Sequence, residues 1–480
     1  MSPHSPHRQA SRAPAPNSAA RWYRRARLLP VGTQHLLMSS GSLMASTVLT
    51  GGAGFLYWTL IARSYPAAPV GRAASIIAAC LAVSLLASQA VSTTLLGRLP
   101  TYADKRSMLA SALVAVGTMA ALGGLATAVL LPVLSGTFEV LHSPVMLVLV
   151  PLLCAGQAAG AVLDASSIAS RKPLVLVVRN SSHAVGKLLL LALAALVLAR
   201  TGAVYAVVGS WALMSCAAAL AAGTYMLGTR ATGQVYEHWR TPGRLVEGWR
   251  HLQKGNLAQN AASIGGSLPT QLLPVLVAAR AGAASAAVFS ISWQLGGLCF
   301  TVSPSVCQAL LAEGSRDPGA LAARTKSAVK IITAVLLVPM VALLVAGSWA
   351  LSIFGQRYGE LGTGLLALLV LSVVPDALTN IAVARHRVRE RLWDAAGVNM
   401  TIAVVVLVAT WALVPALGID GAGWAWVAGQ VAGSGVVAGM YLHNRSAQAR
   451  AVPQRQDGPS SGLTPSLAHG AVAPTSPPRP

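Results

Sequence analysis

Three cationic side chains, Arg179, His183 and Lys187, recur at intervals of four residues, the spacing that stacks side chains on one helical face. A buried stripe of this kind would accept an anion, a phosphate above all, and offset part of the cost of stripping its water. Each residue also has a structural reading: Arg179 reaching to a membrane surface, His183 packed as a neutral ring, Lys187 paired with a carboxylate. Asp376 is a second candidate, because a carboxylate placed deep in apolar sequence can take up and release a proton or sodium ion. Following Pro375, it could equally cap a helix broken there. Asn256, Gln259, Asn260 and Gln271 form a third group, a run of polar side chains unusual in this chain and able to hydrogen-bond the hydroxyls of a sugar. Ser39, Ser42, Ser46 and Thr50 offer hydroxyls on another segment, where small residues also serve close helix packing.

The elements that must hold these groups are membrane helices. Hydrophobic residues make up 54% of the 480 positions and charged ones 10%, with a mean hydropathy of +0.62, which excludes a soluble globule. Apolar stretches long enough to cross a hydrocarbon core of about 30 Å recur throughout. They fall at 37–62, 73–97, 108–133, 144–164, 174–199, 203–228, 251–279, 283–312, 327–354, 361–384, 395–416 and 419–442. A barrel would instead show short alternating segments. The expected fold is an all-α integral membrane protein of about twelve transmembrane helices in two six-helix lobes around a central cavity. The lobes are 34–228 and 251–443, joined by a charged linker at 229–250 and flanked by Pro- and Ser-rich tails, 1–33 and 444–480, that are expected to be disordered. Weak similarity between the halves, such as Gly202-Ala203-Val204-Tyr205-Ala206 with Gly421-Ala422-Gly423-Trp424-Ala425, suggests duplication, with both halves in one orientation.

Lys and Arg gather on one side. Arg98, Lys105, Arg106, Arg171, Lys172, Arg316, Arg324, Lys326, Arg385, Arg387, Arg389 and Arg391 fall in the even-numbered connections, against Arg63, Arg72, Arg200, Arg280 and Arg357 in the odd-numbered ones. The positive-inside bias therefore predicts cytoplasmic termini in a plasma-membrane protein, and the net charge of +22 reflects topology and attraction to anionic lipid rather than nucleic acid. No cleavable signal peptide is expected, since the first apolar segment is too long for one. Cys80, Cys154, Cys216, Cys299 and Cys307 all fall within spans without metal-ligand spacing and read as packing residues. No nucleophile and base, metal cluster or phosphate-cradling loop stands out. An enzyme is not expected, nor a cofactor.

Several short stretches carry a resemblance. Phe55-Leu56-Tyr57-Trp58-Thr59-Leu60-Ile61-Ala62-Arg63, then Val70-Gly71 and Leu96-Gly97-Arg98-Leu99-Pro100, resemble the first two helices of polysaccharide-type flippases. Arg179-Asn180, Ile353-Phe354-Gly355 with Tyr358, and Gly418-Ile419 with Gly421 and Gly423 are similar to later segments of the same family. That family belongs to the multidrug, oligosaccharidyl-lipid and polysaccharide exporter superfamily, and the resemblance covers about residues 35–445. It implies a flippase moving a polyprenyl-diphosphate-linked oligosaccharide to the outer leaflet by alternating access, for cell-surface polysaccharide assembly. The implied partners are the lipid-linked glycan, membrane lipids and glycan-assembly enzymes. Twelve spans do not match the fourteen of lipid II flippases. A multidrug exporter of the superfamily would be expected to carry an acid in its first two helices, where this chain has none. A major-facilitator transporter would need a Gly after Asp104, and a glycan polymerase a large outer loop; neither is present. A scaffold without transport activity is the remaining alternative.

Overall fold

The computed structural model describes residues 49–102, 104–197, 202–228 and 257–451. The N-terminal tail, the linker, the C-terminal tail beyond Ala451 and the first part of the first span, with Ser39, Ser42 and Ser46, lie outside these residues, as does Asn256, whereas 444–451, expected to be disordered, continue the last helix. The described part of the first span is helix α1, over 49–64. Then follow α2 (Ala67–Arg98), α3 (Lys105–Leu134), a 3-10 turn (Gly136–His142), α4 (Pro144–Ala169), α5 (Pro173–Val197) and α6 (Ala203–Leu227). The second half contains α7 (Leu257–Ala281), α8 (Ala283–Gly296), α9 (Val302–Arg316), α10 (Leu321–Ser352), α11 (Gln356–Val388), α12 (Leu392–Leu417) and α13 (Ile419–Ala451). Among the described residues ten helices are long and apolar enough to span a membrane, and eleven spans result when α8 and α9 count as one.

Local chemistry sets the boundaries. Asp104 caps α3 by accepting from the Ser107 amide at 3.0 Å, and Ser143 caps α4 ahead of Pro144, whose missing amide costs nothing in a first turn. Gly282 at φ +83 turns the chain between α7 and α8 within one residue. Prolines inside α7 and α11 do not break them, and the Ser75 hydroxyl of α2 donates to Pro274 O of α7 at 2.9 Å.

The lipid-facing surface carries exposed Leu and Val, such as Leu122, Val133, Leu189, Val338 and Val345. Exposed aromatic rings sit near helix ends: Trp349, Trp411 and Trp424 toward one end of the bundle, Tyr225 and Trp393 toward the other. That is the belt expected where amphipathic rings meet the lipid headgroups.

The eighth span departs from expectation. The apolar run 283–312 reads as one helix, but Gly296-Gly297 and a short 3-10 turn at Cys299–Thr301 divide it with a bend of 52°. A ring cluster of Phe289, Trp293, Phe300 and Trp426 packs around the break.

The halves meet through α2, which packs on both α7 and α8. Gly71 lies directly against the Ala283 carbonyl and the Ala287 amide, where any Cβ would collide with backbone. Arg63 Nε donates to Ile353 O at 2.7 Å, Phe55 meets the Phe354 ring edge-on at 5.1 Å, and the Thr137 hydroxyl donates to Ala278 O at 3.3 Å. These contacts form a seal at the end of the bundle that carries the poorly charged connections.

Two turns at the basic end repeat one geometry. Arg171 (φ 55), between α4 and α5, and Glu390 (φ 58), between α11 and α12, are the positive-φ residues other than glycine among those described. Each ends its helix with the same pair of bonds: the Lys172 amide donates to Ser167 O and the Arg171 amide to Ile168 O, and the Arg391 amide donates to His386 O and the Glu390 amide to Arg387 O.

Candidate functional site

Helix α5 turns its exposed face, Leu174, Val178, Leu189 and Leu193, to lipid, so the stripe at 179, 183 and 187 points into the first half. The three residues then have three different fates. Arg179 lies against α4, where Gly160 leaves room for its guanidinium. Its Nε and Nη2 donate to the two oxygens of Asp164 at 2.9 and 2.5 Å, and Nη2 also reaches Asn180 Oδ1 at 2.7 Å. The charge of Arg179 is therefore matched inside the protein.

His183 shares a hydrogen bond of 3.2 Å with the Ser215 hydroxyl and lies edge-on to Trp211. Among the described residues Lys187 has no carboxylate within ion-pair distance, and it is only 7% exposed. Its ammonium sits 3.7 Å from the centroid of the Trp211 ring and 5.2 Å from that of Tyr57. Tyr57 is fixed in turn: its hydroxyl donates to Val207 O at 3.2 Å and pairs with the Ser210 hydroxyl at 2.8 Å. At 1.5 Å per residue Lys187 lies about 21 Å along a helix about 37 Å long, close to its middle. Cation–π contact contributes about 2 kcal/mol or more per ring when desolvated, of the same order as the cost of a charge at mid-membrane, about 2.5–3.5 kcal/mol. Rings can therefore hold the ammonium in place while leaving its charge free to meet an anion.

Asp376 occupies the second half. Helix α11 runs unbroken from Gln356 to Val388, so Asp376 does not cap a broken helix. Its carboxylate accepts from Asn380 Nδ2 at 2.9 Å and from Gln430 Nε2 at 3.2 Å, while the Thr379 hydroxyl contacts Gln430 Oε1 at 3.2 Å. It is 7% exposed and, among the described residues, has no cation within ion-pair distance. The apolar wall beside it contains Cys307, Val373 and Ala377. Of these two carboxylates, Asp164 is matched by a guanidinium and Asp376 is held by amides.

On α7, Asn260 is buried and its Oδ1 has no hydrogen-bond partner, whereas Gln259 and Gln271 are half-buried. The structure does not gather these amides with the α5 stripe: the stripe packs on α1, α4 and α6, and α7 packs chiefly on α12, α2 and α8. An amide that was not anticipated joins α7 to α12, where Asn399 Nδ2 donates to Ala262 O at 2.7 Å. Tyr57, Trp211 and Gln430 were likewise not anticipated at these sites, nor was the pairing of Asp164, an acid the sequence places within a span, with Arg179. Asp164 had a legible signal, since it stands seven residues before the Arg171 turn and Arg179 eight after it, level on antiparallel helices. Among the described residues no group of His, Cys, Asp and Glu is arranged to hold a metal ion.

No protein family matches the chain by its sequence pattern, and no curated protein matches it by sequence. Its fold does match solved structures. The lipid II flippase MurJ, in an inward closed conformation, superposes with a TM-score of 0.64 at 10% identity over 85% of this chain and 87% of that one. A multidrug resistance MATE family transporter of the MOP superfamily, in its inward-facing conformation, gives 0.58 at 15% identity over 85% and 96%. A MATE protein in complex with MaL6 gives 0.54 at 16% identity over 87% and 97%. The fold is the one that these flippase and MATE transporter structures share, a two-lobed bundle of membrane helices.

Proposed function

We propose that this protein is a transporter that flips a polyprenyl-diphosphate-linked oligosaccharide from the cytoplasmic to the outer leaflet of the plasma membrane. The observation that carries the reading is Lys187, a buried ammonium near the middle of α5 that is held by aromatic rings and has no carboxylate partner among the described residues. A diphosphate crossing the membrane needs such a partner more than a neutral cargo does. The basic connections are on the cytoplasmic side in this reading, and the seal between Gly71, Arg63 and the second half closes the outer side. That is the arrangement expected of a state that receives cargo from within. Asn260, with an acceptor to spare, and the neighbouring amides Asn256, Gln259 and Gln271 are candidates for sugar hydroxyls, Arg179 and His183 support the first-lobe site, and Asp376 is the candidate for coupling to an ion.

The test is the leaflet distribution of polyprenyl-diphosphate-linked glycans in cells lacking the protein, complemented by wild type or by Lys187→Ala. Accumulation in the inner leaflet that only wild type relieves is the expected result. An unchanged distribution, with no redundant transporter present, defeats the glycolipid reading. Export of a small organic molecule is the second reading, favoured by the uncharged ring cluster around Trp293.

A further inference from the structure

We propose that the turn between α11 and α12 is a binding site for the phosphate of anionic phospholipid headgroups. Arg385, His386, Arg387, Arg389 and Arg391 fall within seven consecutive residues there. Glu390, in the left-handed conformation, reverses the chain so tightly that α12 begins at Leu392, which concentrates the five basic side chains in one place. Asp394 answers only part of this charge: Arg391 Nε lies 2.5 Å and His386 Nδ1 3.6 Å from its Oδ2. Arg387 keeps a buried Nε with no hydrogen-bond partner, and Arg389 is exposed.

A second, independent observation fixes the depth of the cluster. Trp393, in the first turn of α12, is 69% exposed, and an exposed indole at a helix end belongs at the headgroup level. The guanidinium groups beside it therefore stand where lipid phosphates are, and a guanidinium can bond two phosphate oxygens at once. The charge is not a requirement of the turn itself. The matching turn after α4 has the same geometry with two cations, and one of them, Lys172, rests 5.6 Å over the Tyr225 ring.

The full-length protein is placed in nanodiscs of phosphatidylcholine with a minor fraction of phosphatidylglycerol, and retained lipids are counted by native mass spectrometry. Wild type is expected to keep phosphatidylglycerol with a preference of about tenfold, given the attraction of each basic residue for an anionic surface. That preference should fall severalfold in R389Q and vanish in R387Q/R389Q. It should persist in K326Q/K330Q, which removes two exposed charges from α10. Equal losses in both double variants, or none in either, would reduce the cluster to unspecific surface charge and overturn the proposal. Displacement of the retained lipid by millimolar inorganic diphosphate would also overturn it, assigning the turn to soluble or cargo phosphate.

Discussion

The ammonium of Lys187 lies 3.7 Å from the centroid of the Trp211 ring, so the deepest charge of the first half faces an aromatic surface instead of a carboxylate. Lys187→Ala is expected to lower glycolipid transfer about 10–100-fold while the protein still reaches the membrane, and Lys187→Met, which keeps the volume, should do the same. Reconstituted leaflet-transfer rates measure this. Normal rates in Lys187→Met would remove the cation from the mechanism.

The Asp164–Arg179 pair makes a different prediction. Asp164→Asn or Arg179→Gln alone leaves a charge without its partner and should cost about 3 kcal/mol, toward the low end of such losses because Asp164 is 26% exposed. The double variant, with two amides, should recover much of that loss in a thermal unfolding assay. If the double variant is stable and transports normally, Arg179 joins α4 to α5 and does not touch cargo.

Asp376 and Gln430 bear on the energy source. Asp376→Asn should abolish the dependence of transport on an imposed proton or sodium gradient, and Gln430→Ala, which removes one donor that stabilises the charged carboxylate, should raise the apparent affinity for a coupling proton severalfold. Gradient dependence that survives in Asp376→Asn would place the coupling ion elsewhere.

The seal can be tested by access. A cysteine introduced at Ala287 is buried against α2 and should react slowly with a membrane-impermeant thiol reagent. Adding Gly71→Val, whose side chain has no room beside Ala283, should speed that reaction severalfold, and Ser75→Ala, which loses one hydrogen bond, should do so to a smaller extent. Unchanged labelling in Gly71→Val would show that the ends part by another route.

Much of the architecture was legible because lipid imposes one rule, a long apolar helix, on every span. Ten helices lie within or close to the expected stretches, and even the polar seventh span forms a continuous helix from Leu257. The break at Gly296-Gly297 was not legible, since its apolar run continues through it and glycine is common in membrane helices. The first-half site was half legible. Four-residue spacing put Arg179, His183 and Lys187 on one face, but which neighbour met each depended on helix pairing. Tyr57 and Trp211 come to Lys187 from 130 residues before it and 24 after, and nothing in their spacing announces that meeting. Gln430 reaches Asp376 across 54 residues in the same silent way.

The division of the eighth span means that continuity of the chain and continuity of force are different things here. Its first piece, α8, packs on α2 of the opposite half and on α11 of its own, while its second piece, α9, is bedded on α10 and α11. Helix α11 thus touches both pieces and also carries Asp376. Strain at the seal has a path to the Asp376 wall through α11, although the eighth span itself is divided.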